Sequence, residues 1–301
     1  MLTAALWAIS PILMKKGLKE GCPPNEVPAI RSIAFLLSML VIFLYVRPAS
    51  WPKLTPWLLL GLIVNVGSST LFGDLLYVYA IDMIGASLAV TISCGYPLVT
   101  TLFSILLLGE RITTMVWIGT LMIIGGLLLI RYDAARKNKQ PPEYTLVDRD
   151  EKKRTMRGIL LAAASAFLSG ANMPLNKMLM VEGQWTPVES YFLRSVVFFA
   201  LVWGTRIVQE YRFPNAIRPV RWVPLRAWLA LLGGGIVALT FAGLLYGYCI
   251  QVLPVSAVTP ITASSPFMTV VLSRIIFKEK LTNLQRGGVF LVIAGSISVS
   301  L

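Results

Sequence analysis

Tyr77-Val78-Tyr79-Ala80-Ile81 returns 169 positions further on as Tyr246-Gly247-Tyr248-Cys249-Ile250. The same offset carries Ser87, Pro97, Glu110, Thr113, Gly119 and Gly126 onto Ser256, Pro266, Glu279, Thr282, Gly288 and Gly295. Nearer the start of each half an offset of 163 pairs Pro11 with Pro174 and Arg31 with Arg194. Each half holds about five apolar segments of membrane length. An odd number of spans reverses the chain, so a five-helix unit used twice sets its copies in opposite orientations. Inverted repeats around a shared midplane are the build of many secondary transporters.

Composition leads the same way. The 301 residues are 56% hydrophobic and 14% charged, with a mean hydropathy of +0.74. Globular domains carry nearer a quarter charged residues, so this chain cannot coat a water-facing surface. A helix crosses about 30 Å of hydrocarbon with roughly 20 apolar residues. Ten such spans are predicted, near 1–18, 27–46, 57–82, 86–108, 115–132, 157–178, 188–208, 227–251, 257–276 and 284–301. The fold class is therefore an all-α membrane protein, ten transmembrane helices arranged as two inverted five-helix repeats around a central cavity. Residues 1–132 form the first repeat, 133–156 a charged linker read as a solvated hinge, and 157–301 the second repeat. The first span is short and has no basic lead or small-residue cleavage site, which predicts either a trimmed chain or a first helix starting at the membrane surface.

The net charge of +13 does not signal nucleic acid, because no basic stripe interleaved with aromatics and no nucleic-acid module is present. The charge lies mostly in loops, with Arg31, Arg194 and Arg286 at helix ends. Twenty Lys and Arg fall on the side of the 133–156 linker, and four (Arg47, Lys53, Arg111 and Lys177) on the side of the termini. The positive-inside rule puts the linker in the cytoplasm and both termini outside. Cys22, Cys94 and Cys249 have no spacing that suggests a disulfide framework or a metal site. No cofactor is expected.

Taken together, these residues resemble the drug/metabolite transporter superfamily, in its ten-helix EamA type. The resemblance covers almost the whole chain. It rests on the two Tyr-x-Tyr-Ala/Cys segments, on Pro97 and Pro266, and on Gly109-Glu110-Arg111 with its partner Lys278-Glu279-Lys280. The glycines of the fifth and tenth helices (Gly119, Gly125, Gly126; Gly287, Gly288, Gly295) add to it. The resemblance implies a basket of ten helices whose central cavity alternates between two faces, exporting or exchanging small metabolites, often amino acids, without ATP. It also implies cytoplasmic termini, against the charge bias, so orientation stays open. The first helix lacks the membrane-embedded Glu of the superfamily's small multidrug exporters, which argues against proton-coupled drug export by that route.

Charged side chains inside spans are expensive and so are functional candidates. Asp74, well inside the third span, is expected to be buried with a raised pKa and to bind a proton or a substrate ammonium; the alternative is a structural contact with a neighbouring helix. On a regular helix Asn65, Ser68 and Ser69 share a face while Asp74 points roughly 180° from Asn65. Ser165, Ser169, Asn172 and Asn176 form a polar stripe along the sixth span, serving either pocket lining or helix packing. Lys177 either binds a substrate carboxylate or phosphate, or snorkels.

Only one tyrosine of each pair, Tyr77 or Tyr79 and Tyr246 or Tyr248, can face a cavity, since i and i+2 lie about 200° apart. Tyr96 is a further candidate for substrate contact. Arg31 and Arg194, matched in the repeats, are expected to share a structural or gating task, such as capping or holding a neighbouring carboxylate. Glu110 and Glu279 close helices where negative charge opposes the dipole. Their expected partners are Arg111, Lys280 or a group across the repeat axis, as a gate. Pro97 and Pro266 are expected to free mid-helix carbonyls, and Gly243-x-x-x-Gly247 to pack helices closely.

The chain has no His and no nucleotide loop, and its deep acids Asp74 and Asp82 share one helix; an enzyme is not expected. A receptor would bind without flux, and a channel would conduct without exchange. The leading expectation is secondary-active export or exchange of small zwitterions such as amino acids, by alternating access, with a proton as the candidate coupling ion. The alternative is exchange of organic anions or sugar phosphates. The expected setting is multi-pass, in the cell (inner) membrane, contacting lipid, as a monomer or weak homodimer.

Overall fold

The computed structural model describes residues 1–23, 26–47, 51–137, 149–212, 223–265, 267–268 and 282–300. Among them the chain is entirely helical, in the order α1 (Leu2–Lys19), α2 (Val27–Val46), α3 (Pro56–Val66), α4 (Asp74–Ser93), α5 (Tyr96–Leu108), α6 (Thr114–Lys137), α7 (Arg149–Gly183), α8 (Pro187–Arg212), α9 (Leu225–Gly235), α10 (Gly243–Val252), α11 (Val255–Ala263) and α12 (Asn283–Ser300). Five described segments are long and apolar enough to cross a membrane: Val27–Val46, Pro56–Tyr77, Lys153–Gly183, Pro187–Gln209 and Leu225–Val252. Shorter apolar helices accompany them. On α2, Ile30, Ala34, Met39 and Phe43 are buried while Leu37, Val41 and Leu44 are exposed. A helix apolar on its exposed face as well as its buried one is suited to lipid.

Two expected helices are not regular. Gly67–Gly73, between α3 and α4, and Ile236–Ala242, between α9 and α10, are π-helical. The two segments correspond position for position under the 169 offset, since 67 and 73 become 236 and 242. Each i→i+5 turn takes in one more residue than an α turn, rotating the residues beyond it by about 100°. The 180° opposition of Asn65 and Asp74 read from regular periodicity therefore does not hold.

The helix ends obey local chemistry. Thr55 caps α3 by accepting from Leu58 N–H at 3.3 Å. Thr186 and Glu189 form a capping box on α8: Glu189 Oε2 accepts from Thr186 N–H at 2.7 Å, and Thr186 Oγ1 from Glu189 N–H at 3.3 Å. α5 ends at Gly109, whose φ of 62° suits glycine.

The third span was expected to end near 82, but α4 runs to Ser93, and the break falls at Cys94–Gly95. Pro97 is therefore in the first turn of α5, where its missing N–H costs no bond. It frees no mid-helix carbonyl, contrary to expectation. That role falls to Pro174 inside α7. It cannot donate to Gly170 four residues back, and the Gly170 carbonyl instead accepts from Thr100 Oγ1 at 3.0 Å. At the linker, α6 reaches Lys137 and α7 starts at Arg149.

The chain divides into two compact units, each drawing on both halves of the sequence. One comprises Met1–Leu71 and Asn176–Val252, the other Phe72–Leu175 and Leu253–Leu301. In the first unit α2 packs on α8, and α1 and α2 pack on α9 around Ile30, Ala227 and Leu231. Its buried Glu26 is ion-paired with Arg206, which also lies over the Trp203 ring at 5.6 Å. In the second unit α6 packs on α12, around Ile123, Leu127, Val292 and Val299. A methyl on Gly119 would lie 2.5 Å from the Gly295 carbonyl oxygen, and one on Gly126 would lie 2.6 Å from that of Gly288. One number rises as the other falls, so the two helices run antiparallel at this contact. Adding 169 turns Gly119 into Gly288 and Gly126 into Gly295, so each glycine meets the counterpart of the other.

Candidate functional site

In the first unit α8 carries Tyr191 and Arg194 one turn apart, on the same face. The Tyr191 ring lies against Gly243 and Gly247, where added methyls would come within 2.5 and 2.8 Å of it. The glycine pair thus makes room for a ring rather than for a backbone. Arg194 lies over that ring, 5.5 Å from its centroid, within cation–π range. Arg194 Nη1 donates to Asn65 Oδ1 from α3 and, at 3.2 Å, to Asn176 Oδ1 from α7. Asn65 and Asn176 are buried, and Arg194 is half-buried. Beside this group Tyr246 is 1% exposed and its ring is 5.6 Å from that of Trp7.

The π segments leave carbonyls for other helices to satisfy. Ser165 Oγ, from α7, donates to Gly73 O at 2.8 Å in the second unit. Trp7 Nε1, from α1, donates to Ala238 O at 3.2 Å in the first. Thus α1, early in the chain, serves the later π segment, and α7, from the second half of the chain, serves the earlier one.

The sequence-predicted residues thus fall into groups. Asn65, Asn176, Arg194 and Tyr246 come together in the first unit. The polar stripe of α7 is split between tasks, Ser165 holding Gly73 and Asn176 holding Arg194. Asn172 is buried and Ser169 half-buried. Lys177 does not join the Arg194 group; it lines a pocket of about 260 Å³ with Met180, Gln184, Trp185 and Gln251. Tyr79 and Tyr248 are exposed, Tyr77 is half-buried and Tyr246 buried, so the first tyrosine of each pair turns inward. Ser69 lies half-buried in its π segment, and Tyr96 is half-buried.

Asp74 was expected to be buried and is exposed, because it opens α4 directly after the π segment. Glu110 was expected to pair with Arg111, Lys280 or a group across the repeat axis. Its carboxylate accepts from Val255 N–H at 2.8 Å, Ser256 N–H at 3.1 Å and Ser256 Oγ at 2.7 Å. It thus caps the N-terminus of α11. Arg31, the counterpart of Arg194, is half-buried on α2. Pro266 and Glu279 lie outside the described residues. Tyr191 and Trp7 were missed; Tyr191, three positions before Arg194 on one helix, was the readable signal.

The EamA-like transporter family model matches residues 1–132 and 156–301. The uncharacterized inner membrane transporter YicL of Salmonella typhimurium is 39% identical over 75 residues, 25% of this chain and 24% of that protein. The uncharacterized transporter YwfM of Bacillus subtilis is 28% identical over 132 residues, 42% of each. The chain thus aligns with less than half the length of these relatives. A crystal structure with 18% identity matches 99% of this chain and 93% of its own at a TM-score of 0.76, which is a likeness of fold. With the family model covering nearly the whole length, this multi-pass membrane protein belongs to the EamA-like transporter family.

Proposed function

We propose that the protein is a secondary-active carrier of the inner membrane that exports or exchanges small metabolites, amino acids and similar zwitterions first, by alternating access. Residues 1–132 and 157–301 are taken as two inverted five-helix repeats, joined by 133–156, that rock about a central site. The antiparallel α6–α12 contact, in which repeat-related glycines exchange partners, supports the inverted build, as do the π segments at matching positions. The observation that carries the substrate reading is the half-buried Arg194 within an apolar span, held by neutral amides. Asp74 supports it too. An exposed carboxylate within a span is tolerated where water reaches it, and there it can take a substrate ammonium or a proton.

Exchange of organic anions or sugar phosphates is the second reading. Lys177 favours it, but Lys177 lines a pocket without Arg194, and phosphate is held better by several cations than by one. Counterflow of pooled labelled amino acids into proteoliposomes, wild type against Asp74→Asn across a pH gradient, tests the first reading. Saturable wild-type counterflow is expected, with its pH response lost in Asp74→Asn. No counterflow of any amino acid would refute it in favour of anions.

A further inference from the structure

We propose that Arg194 is the carboxylate-binding residue of the substrate site, and that the preferred ligands are small carboxylates bound side-on by its guanidinium; this deepens the carrier reading and rests on it for its biological purpose. Three observations carry the assignment.

The first is charge. Among the described residues the partners of Arg194 are the Asn65 and Asn176 amide oxygens, the Tyr191 ring and the nearby Tyr246 phenol, none of which carries a formal negative charge. A cation taken out of water without an anion is costly, and amide dipoles offset only part of that cost.

The second is geometry. Both amide bonds leave from Nη1. That leaves the Nε and Nη2 edge, with three of the five guanidinium N–H donors, without a partner among the described residues. Arginine grips a carboxylate through two parallel N–H bonds from such an edge. The Tyr191 ring, seated on Gly243 and Gly247, lies beneath the guanidinium carbon, 5.5 Å from it at the ring centroid.

The third is asymmetry between the repeats. Features that the fold needs recur in both halves, such as the π segments and the glycines of α6 and α12. Arg31 occupies the position of Arg194 in the first repeat. Subtracting 163 from Asn176 gives Leu13, however, and adding 169 to Asn65 gives Gly234. Leu13 and Gly234 are themselves neighbours, Leu13 Cβ lying 3.4 Å from a methyl built on Gly234. The counterpart positions therefore keep the arginine but carry no amide side chain, Leu13 and Ser10 lying against Gly234 there instead. The fold closes without the two amides, so what they do on one side only serves a ligand that is bound on one side only.

The test is thermal stability of the purified full-length chain with each standard L-amino acid, pyruvate, lactate or succinate, compared with the matched carboxamides. At least one acid is expected to raise the Tm while its carboxamide, which keeps the shape and loses the charge, does not. Arg194→Lys keeps a cation but not the fork, and is expected to weaken that acid about tenfold to a hundredfold; Arg194→Gln should abolish the response. The acid–amide comparison needs no variant, so a poorly folding Arg194→Gln does not spoil it. No stabilising acid, a carboxamide as effective as its acid, or a response that survives Arg194→Gln would each overturn the assignment. Amino-acid counterflow measured in parallel separates the two readings. Flux untouched by Arg194→Gln overturns this site and keeps the carrier. Arg194-dependent binding without flux keeps the site and removes the carrier.

Discussion

Replacing Glu110 separates a helix cap from a gate. The side chain lies just past the last turn of α5 and accepts three bonds at the start of α11, two from backbone N–H groups and one from the Ser256 hydroxyl. A carboxylate near a helix N-terminus gains about 0.3–1 kcal/mol from the dipole, and loss of an N-cap typically costs about 1 kcal/mol. Bonds to a charged acceptor contribute about 1.5–3 kcal/mol each and do not add fully. Glu110→Ala, which orphans all three donors, is therefore expected to lose about 2–4 kcal/mol. Glu110→Gln retains an accepting oxygen without the charge and should lose about 1 kcal/mol. Thermal unfolding in detergent, monitored by tryptophan fluorescence, should rank wild type above Glu110→Gln above Glu110→Ala. The order should persist in high salt, because bonds to backbone N–H groups are not pairs of exposed ions. A wild-type Tm for Glu110→Ala would refute the cap. Equal losses from Arg111→Gln or Lys280→Gln that salt removes would restore the ion-pair gate.

Gly119→Ala should destabilise by about 1–3 kcal/mol, because its methyl would meet the Gly295 carbonyl oxygen at 2.5 Å and Val299 Cγ2 at 2.6 Å. Gly125→Ala has open space and should be neutral or gain up to about 1 kcal/mol of helix propensity; equal Tm values for the two variants would refute the crossing. Burial, with the Glu26 carboxylate second, pushes the Cys22 thiol up to about 11 from 9.0. In a Cys94→Ser/Cys249→Ser background its maleimide labelling should keep rising with pH beyond 9 and level off only near 11. A raised thiol value means that folding favours the neutral form. Its contribution to stability is complete below pH 9 and is lost as pH climbs toward 11. A labelling plateau at pH 9 would contradict this.

The sequence by itself determined what translation along the chain can reveal. Hydrophobic length marked the long apolar helices such as Val27–Val46 and Pro187–Gln209. The 169 offset marked which positions share a task, so the π segments and the glycines of α6 and α12 fell on matched numbers. Side-chain type marked Asn65, Asn176 and Arg194 as polar groups in apolar helices. Tertiary structure decided what the offset could not, namely which matched residues meet and which have diverged. Regular periodicity misplaced Asp74 because a π turn changes the count locally without any marker as strong as proline. Pro97 looked mid-helix because the break before it is made by Cys94–Gly95, whereas Pro174 interrupts a helix that continues on both sides. Glu110 carried a charge in need of a partner, but backbone N–H groups are invisible in a residue string, so its cap on α11 could not be read there. Arg194 stands apart from Arg31 for the same reason: the two are identical as letters, and only packing brings amides to one and Leu13 against Gly234 near the other.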